Sequence, residues 1–276
     1  MKCPCGLTAV IDAPPRCETC FIKDFEDRFW ETIEEFGLVK ERERIAVAAS
    51  GGKDSLTTVQ LLSSKYPVDV IAVDEGIPGY RDRTLNDLRK YCDEHKMSLK
   101  IIKFEDIGAK PLSISKPERP CTVCGVNRRK AILELGKDYD VIATGHNLDD
   151  ECQSILMNLL RNQPNLNARL GPRMHTINGL PARIKPLIRH SEKEVAAYVL
   201  LKKIPLTFNE CPYMDRGFRS KVRDELNELE RVQPGSKRNI LDHFLKQRYV
   251  DEKPSMTCVR CGGPSSNELC KACIIN

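Results

Sequence analysis

The run Ile45-Ala-Val-Ala-Ala49 ends in Ser50-Gly-Gly-Lys-Asp-Ser55 and passes directly into a segment with helical spacing. A buried strand, a glycine turn and a helix, in that order, point to the α/β class, because parallel strands must be joined by crossovers. The pattern repeats. Val68-Asp-Val-Ile-Ala-Val73, Leu99-Lys-Ile-Ile-Lys-Phe104 and Val141-Ile-Ala-Thr144 predict further strands, with helices over 55–64, 80–95 and 127–135. The expected fold is a doubly wound parallel sheet with ligands outside the carboxyl ends of its strands. The glycine turn suits an anion. Gly51 and Gly52 let backbone N–H groups converge, and the helix N-terminus adds positive potential. Lys53 can contact phosphate, and Ser50 and Ser55 can bond its oxygens. The string is not a GxxxxGK[ST] loop, and a turn without a ligand is the competing reading.

A second string, Ala143-Thr-Gly-His-Asn-Leu-Asp-Asp-Glu151, closes the strand at 141–144. Asp149 and Asp150 there can hold Mg²⁺ beside a triphosphate or position a nucleophile, or they can simply open a helix. Outside this body, helices are expected over 25–44, interrupted or ended near Gly37, and over 191–202, where Ser191 and Glu194 form a capping box. Mixed-charge helices are expected over 219–232 and 237–248, and a strand near Leu206-Thr-Phe208. The expected division is a cysteine unit over 1–24, a catalytic body over 25–215, a helical extension over 216–250 and a second cysteine unit over 251–276.

Thirteen cysteines are too many for an ordinary enzyme core. No apolar run approaches the roughly 18 residues of a membrane helix, and the N-terminus lacks a signal-like apolar stretch. A cytoplasmic protein without membrane attachment is therefore expected, where paired cysteines read as metal ligands or redox thiols. Cys258-Val-Arg-Cys261 and Cys270-Lys-Ala-Cys273 have the spacing of a structural tetrahedral Zn²⁺ site. Cys3, Cys5, Cys17 and Cys20 form a less regular set, because Cys3-Pro-Cys5 is CxC. Cys92 and Cys152 read as ordinary buried residues. The formal charge is +5, which two Zn²⁺ on eight thiolates would bring near neutrality. Nucleic-acid binding must then come from local patches. Candidates are Arg161, Arg169, Arg173, Arg183, Lys185, Arg189, Arg219, Lys221, Arg223, Lys237 and Arg238.

Cys121-Thr-Val-Cys124 and Cys211 complete the set. A lone CxxC is redox-active, metal-binding or incidental. Three thiolates on one Fe–S cluster would leave one iron without a protein ligand. A persulfide carried on one cysteine and resolved by another is the rival chemistry. Cys121 and Cys124 are expected on a turn leading into a helix, whose N-terminus would lower their pKa values.

SGGKDS resembles the loop of the N-type ATP pyrophosphatases, the PP-loop enzymes of adenine nucleotide alpha hydrolase-like fold. The segment containing GHNLDD resembles the tRNA 2-thiolation branch, the TtcA/TtuA family of Fe–S-dependent tRNA 2-thiouridine synthetases, in its archaeal TtuA/NcsA-like type. That branch has a CxxC followed by a third cysteine roughly ninety residues on, and Cys121 and Cys211 are 90 positions apart. The resemblance implies an ATP-dependent tRNA sulfurtransferase using ATP and Mg²⁺, with Ser50, Gly51, Gly52, Lys53, Asp54, Ser55, Gly145 and His146 around the nucleotide. It implies a 4Fe-4S cluster on Cys121, Cys124 and Cys211, catalytic roles for Asp149 and Asp150, and Arg128 or Lys130 near the nucleotide phosphate. It also implies a zinc finger at each end, a homodimer, and a ubiquitin-like thiocarboxylate, persulfide or sulfide as sulfur donor. The expected product is 2-thiouridine, at the wobble position first and at the T-loop uridine as the alternative. The rivals are another ligase of the same ATP class, which does not need three cysteines and two fingers, and a non-enzymatic zinc-finger RNA-binding module, which does not need the SGGKDS and GHNLDD strings.

Overall fold

The computed structural model describes residues 1–12, 14–115, 117–174, 180–214, 217–247 and 256–276. The first cysteine unit holds two short strands, β1 (Ile11–Asp12) and β2 (Pro15–Arg16), and runs straight into helix α1 (Glu18–Glu35). The apolar stripe expected from residue 25 begins one turn earlier. Phe21, Phe25, Phe29 and Ile33 are all buried at a spacing of four, so the helix takes in Cys20. Gly37, at φ 53°, supplies the left-handed turn that ends it.

Strands and helices then alternate: β3 (Ile45–Ala48), α2 (Lys53–Ser63), β4 (Val68–Asp74), α3 (Arg81–Glu94) and β5 (Leu99–Lys103). A short α4 (Leu112–Ser115) precedes α5 (Pro120–Leu135), β6 (Val141–Thr144) and α6 (Leu148–Leu160). Next come β7 (Arg173–Met174), β8 (Ala182–Ile184) and α7 (Glu192–Leu201), which opens with the expected Ser191–Glu194 capping box. The chain closes with α8 (Phe218–Val232), α9 (Ser236–Lys246) and the elements of the second cysteine unit, β9 (Met256–Thr257), β10 (Pro264–Ser265) and α10 (Lys271–Ile275).

The central sheet has the order β5-β4-β3-β6-β8-β7. All pairings are parallel except β7 with β8, so the expected parallel sheet carries an antiparallel edge strand. The chain winds outward from β3 through β4 to β5, then returns to lay β6 against the other side of β3. This reversal opens a crevice between the carboxyl ends of β3 and β6, the usual ligand position in such sheets. Their register pairs Ala48 with Thr144, which sets the SGGKDS and GHN segments side by side.

Three local expectations change. α5 begins at Pro120 rather than near Asn127, because proline fits the first helical turn, where its missing N–H has no partner to lose. Cys121 and Cys124 therefore lie within the helix. α2 begins at Lys53, so the phosphate-loop lysine is already helical. Residues 204–210 form no regular element, and the strand near 206–208 is absent; Thr207 N–H instead donates to Asp87 Oδ2 at 3.0 Å. Residue 248, the end of the helix expected over 237–248, and residues 249–255 lie outside the described residues.

The helical extension has no core of its own. Leu226 of α8 and Leu241 and Phe244 of α9 pack with Leu148 and Ile155 of α6, the helix that starts with the aspartates. One buried ion pair locks this arrangement: Lys237 of α9 meets Asp149 of α6 and also donates to Asn227 Oδ1 at 2.6 Å. Asp149 is 5% exposed and Lys237 7%. Lys237→Ala leaves the Asp149 charge buried and unpaired, and is expected to cost about 3–5 kcal/mol in urea unfolding. A loss below about 1 kcal/mol would contradict this reading.

Candidate active site

The phosphate loop is pre-shaped by its own hydroxyls. Ser50 N–H donates to Ser55 Oγ at 3.1 Å, Ser55 Oγ–H donates to Gly52 O at 2.9 Å, and Gly52 N–H donates to Ser50 Oγ at 3.3 Å. Gly51 carries the geometric constraint. It sits at φ 80°, and a Cβ there would lie 2.1 Å from the Thr84 carbonyl of α3. Gly52 is the N-cap of α2 at φ −85°, where a Cβ would meet only Ser50 Oγ at 3.4 Å. The first N–H groups of α2 have no partner inside the helix and face the crevice end of β3. This cradle fits an anionic phosphate chain.

The GHN segment closes directly onto it. A Cβ on Gly145 would fall 2.7 Å from Asp54 C and Ser55 N, so only glycine allows the two loops this approach. Asn147 Nδ2 donates to Asp54 Oδ1 at 2.9 Å, while Lys53 Nζ lies 3.1 Å from Asp54 Oδ2 and 2.8 Å from Glu192 Oε1. Burial opposes the Lys53 charge, but Asp54 and Glu192 outweigh it and hold the pKa above the ordinary lysine value. Burial raises the Asp54 carboxyl, with Lys53 and Asn147 opposing and Asp150 adding repulsion.

The structure separates the two aspartates. Asp149 has both oxygens occupied: Lys237 takes one, and Glu192 N–H donates to the other at 2.8 Å. It anchors α9 and α7. Asp150 forms a capping box with Asn147 and keeps Oδ1 toward Arg219 at 3.1 Å. Enclosure raises its pKa, with Arg219 opposing. Asp54 and Asp150, one from each motif, are near enough for Asp150 to add repulsion at Asp54. His146 is exposed to solvent. Desolvation by neighbouring atoms, followed by Lys185, draws its pKa down. Thr144 Oγ1 donates to Ile184 O at 3.3 Å, so it accepts from His146 Nδ1–H at 2.8 Å.

On the other side of the loop lies the cysteine recess. Cys121 Sγ donates to Tyr213 O at 3.3 Å, which ties α5 to the turn after Cys211. Cys124 and Cys211 both pack with Tyr80 and Tyr213 against an apolar cluster that includes Phe104 and Leu112. Burial pushes Cys124 up to about 11, and Arg128 opposes it. Burial also raises Cys211, with the Tyr213 backbone opposing. For Cys124 the expected lowering by the helix N-terminus does not occur, because burial outweighs it. Cys124 and Cys211 are partly buried and Cys121 is exposed, and among the described residues their sulfurs do not converge within the 4.8 Å of the end sets. An iron group held by the three thiolates would bring positive charge to this recess.

Two residues of this region escape a reading by motif. Arg81 is 2% exposed: its Nη1 donates to Ser50 O at 2.6 Å and its Nε lies 2.8 Å from Glu75 Oε2. Glu75 stands just past the carboxyl end of β4, where sites of this fold concentrate, so its place was open to inference. The burial of Arg81 was not, because a charged residue at a helix start ordinarily faces water.

The end cysteines converge. The four ligand atoms of Cys3, Cys5, Cys17 and Cys20, and those of Cys258, Cys261, Cys270 and Cys273, lie within 4.8 Å of one another in each set. Cys5 and Cys17 Sγ are 3.5 Å apart, and Cys261 and Cys270 Sγ 3.6 Å. A tetrahedral Zn²⁺ with bonds of about 2.3 Å spaces its sulfurs by about 3.8 Å, so both sets fit one metal ion each. Cys270 N–H donates to Cys258 Sγ at 3.2 Å and helps draw that thiol down to about 6. Cys20 is pushed up to about 12 by its Cys17, Cys5 and Cys3 neighbours, because four thiols this close cannot all ionise without a cation.

Several basic residues expected as nucleic-acid contacts are engaged in ion pairs. Lys237 pairs with Asp149, Lys185 with Glu151 at 2.6 Å, Arg173 with Glu43 at 2.6 Å, and Arg189 with Glu35 through its Nη2 at 2.8 Å. Lys130 donates to Ile107 O at 2.7 Å, whereas Arg128 remains half exposed, 3.8 Å from Glu75 Oε1.

A PP-loop domain family matches residues 22–230. The chain is 35% identical to cytoplasmic tRNA 2-thiolation protein 1 of Drosophila yakuba, covering 99% of this chain and 86% of that protein. The same protein of Drosophila willistoni is 36% identical at the same coverage. Among solved structures, the U34-tRNA thiolase NcsA of Methanococcus maripaludis, determined with its 4Fe-4S cluster, superposes with a TM-score of 0.86 at 33% identity, covering 99% of this chain and 95% of that one. Matches of this extent, over a chain whose phosphate loop, GHN segment and cysteine recess meet at one sheet edge, place it in the PP-loop family, among the tRNA 2-thiolation proteins.

Proposed function

We propose that the protein is an ATP-dependent tRNA sulfurtransferase that converts the wobble uridine to 2-thiouridine. One observation carries this reading: the phosphate loop and the three-cysteine recess open beside each other at the carboxyl ends of β3 and β4. The relatives named above are a cytoplasmic tRNA 2-thiolation protein and a U34-tRNA thiolase, which supports both the position and a cytoplasmic setting.

On this reading ATP lies along Ser50–Ser55, with its phosphates toward the α2 N-terminus and Lys53. Asp54 and Asp150 would hold Mg²⁺ beside them. The 2-carbonyl oxygen of uridine attacks the α-phosphorus, the α–β phosphoanhydride bond breaks and pyrophosphate leaves. Sulfide then adds at carbon 2, the C2–O bond breaks, and AMP departs with the former carbonyl oxygen. Cys121, Cys124 and Cys211 would hold a 4Fe-4S cluster, which supplies an iron without a protein ligand where sulfide can be carried. Arg128, between the recess and the loop, offsets charge that builds on the departing AMP. Gly145 and His146 border the crevice beside the phosphate loop. The two four-cysteine sets would each hold a structural Zn²⁺ and add no open coordination position. The units 1–24 and 251–276 then serve as fingers flanking the catalytic body 25–215, and 216–250 as the tRNA-facing extension. A homodimer and a thiocarboxylate, persulfide or sulfide donor belong to the same reading.

The test is iron-reconstituted protein incubated with an unmodified tRNA transcript, ATP and sulfide, followed by nucleoside mass spectrometry. 2-Thiouridine is expected in the fragment containing position 34 of the tRNA, and none when that uridine is replaced by cytidine. Undiminished thiolation of the cytidine-34 transcript would overturn the assignment of position.

A further inference from the structure

We propose that Glu75 is a positioning residue that couples the phosphate loop to the cysteine helix through two arginines. The inference rests on the proposed function but concerns a link between its two halves, for which neither motif has a residue. Glu75 follows β4 and is 5% exposed. Its backbone is fixed: Leu112 N–H donates to Glu75 O at 3.0 Å, and Gly76 follows at φ 66°. Its carboxylate lies between two guanidinium groups. On one side, Arg81 Nε is 2.8 Å from Oε2. The single Nε–H goes to Val73 O at 2.7 Å, so Oε2 meets the Arg81 charge without a hydrogen bond; Arg81 donates further to Thr84 Oγ1 at 3.1 Å and to Ser50 O at 2.6 Å. It therefore ties the first residue of the phosphate loop to the end of β4. On the other side, Arg128 Nη1 is 3.8 Å from Oε1, near enough to attract and too far for a hydrogen bond. Arg128 lies one helical turn after Cys124 on the same face of α5, so its side chain runs back toward that thiol.

The two arginines are held unequally. Arg81 has 3% of its side chain exposed and several acceptors, whereas Arg128 has 50% exposed and, among the described residues, no acid nearer than Glu75. Glu75 is the carboxylate shared between them. An anion entering the loop competes for Arg128, and movement of Arg128 changes the charge facing Cys124. Through Glu75, occupancy of the phosphate loop is felt at the cysteines, and the state of the cysteines is felt at the loop. Coupling of this kind is reciprocal.

The test uses full-length, zinc-loaded, iron-free protein, so that it does not depend on cluster chemistry. Alkylation of Cys124 by iodoacetamide is followed by peptide mass spectrometry with and without saturating ATP. In the wild type, ATP is expected to change the Cys124 rate by about tenfold, a coupling of about 1.4 kcal/mol. In Glu75→Gln, which keeps the shape and removes the charge, the same saturation is expected to change it by less than about twofold. Arg128→Met should abolish the ATP effect by itself, and combining it with Glu75→Gln should add nothing further. Melting curves show whether each variant is folded; where Glu75→Gln is not, Glu75→Asp replaces it, keeping the charge but withdrawing it from Arg128. An ATP effect on Cys124 that persists in the Glu75 variant, that is missing from the wild type, or that shows additive losses in the double variant would overturn the coupling. Each of these results leaves thiolation by iron-loaded wild-type protein untouched as a separate question.

Discussion

Gly51→Val is expected to abolish measurable ATP binding, a loss of at least about 100-fold, or about 2.7 kcal/mol. The residue occupies φ 80°, and its Cβ position is 2.1 Å from the Thr84 carbonyl. A β-branched side chain cannot adopt that conformation cheaply, and backbone on the facing helix cannot yield as a side chain would. The loop must move, and the N–H groups that converge on phosphate move with it. Strain of this kind costs about 1–3 kcal/mol, so a lower melting temperature should accompany the lost affinity. Gly52→Val separates the two effects. Its φ of −85° suits valine and its Cβ position meets only Ser50 Oγ at 3.4 Å, so only the approach of phosphate is obstructed. It should lose binding with the melting temperature nearly unchanged. Wild-type ATP affinity for Gly51→Val in calorimetry would remove the nucleotide from this loop.

Substitution of Cys121, Cys124 or Cys211 by alanine is expected to remove both iron and thiolation; ATP affinity should stay within about twofold for Cys121 and Cys211 and within about tenfold for Cys124, which the Glu75 link couples to the loop. The recess and the loop are separate elements, joined through Glu75 and its arginines, so a missing thiol reaches Ser50–Ser55 only through that link. All three cysteines are required on this account, since each is a ligand. A persulfide mechanism needs two of them and no iron. Retained iron with full activity in Cys211→Ala would exclude it as the third ligand. Metal analysis of the same variants should show their zinc unchanged, because the two four-cysteine sets lie elsewhere in the chain.

The sheet was legible because its strands are short, nearly continuous apolar runs, such as Ile45–Ala48, that end in unmistakable turns. The antiparallel β7 was not, since two residues carry no periodicity. The start of α5 at Pro120 was missed because Pro120 and Gly125, on either side of the CxxC, read as a turn, although proline at the first helical position is a sound helix opening. Within the site, residues that act through a motif were readable and residues that act through burial were not. Asp149 and Asp150 are adjacent in sequence and chemically alike. Only the position of Lys237, 88 residues away from Asp149, shows that Asp149 anchors α9, while Asp150 turns toward Arg219. Arg173, Lys185 and Lys237 look like nucleic-acid contacts in a sequence, because the acid that neutralises each lies far off in the chain. The same long-range closure hides the Glu75–Arg128 leg of the link, and burial hides the Glu75–Arg81 leg.

The central claim is that ATP-activated uridine receives its sulfur at an iron site held by Cys121, Cys124 and Cys211. The most direct test compares two preparations of the same wild-type protein, both zinc-loaded, one reconstituted anaerobically with iron and sulfide and one iron-free. Each receives tRNA, ATP and sulfide, and 2-thiouridine is quantified by mass spectrometry. The account predicts a brown protein that forms 2-thiouridine in the first case, and ATP binding without thiolation in the second. Full thiolation by the iron-free protein would contradict it.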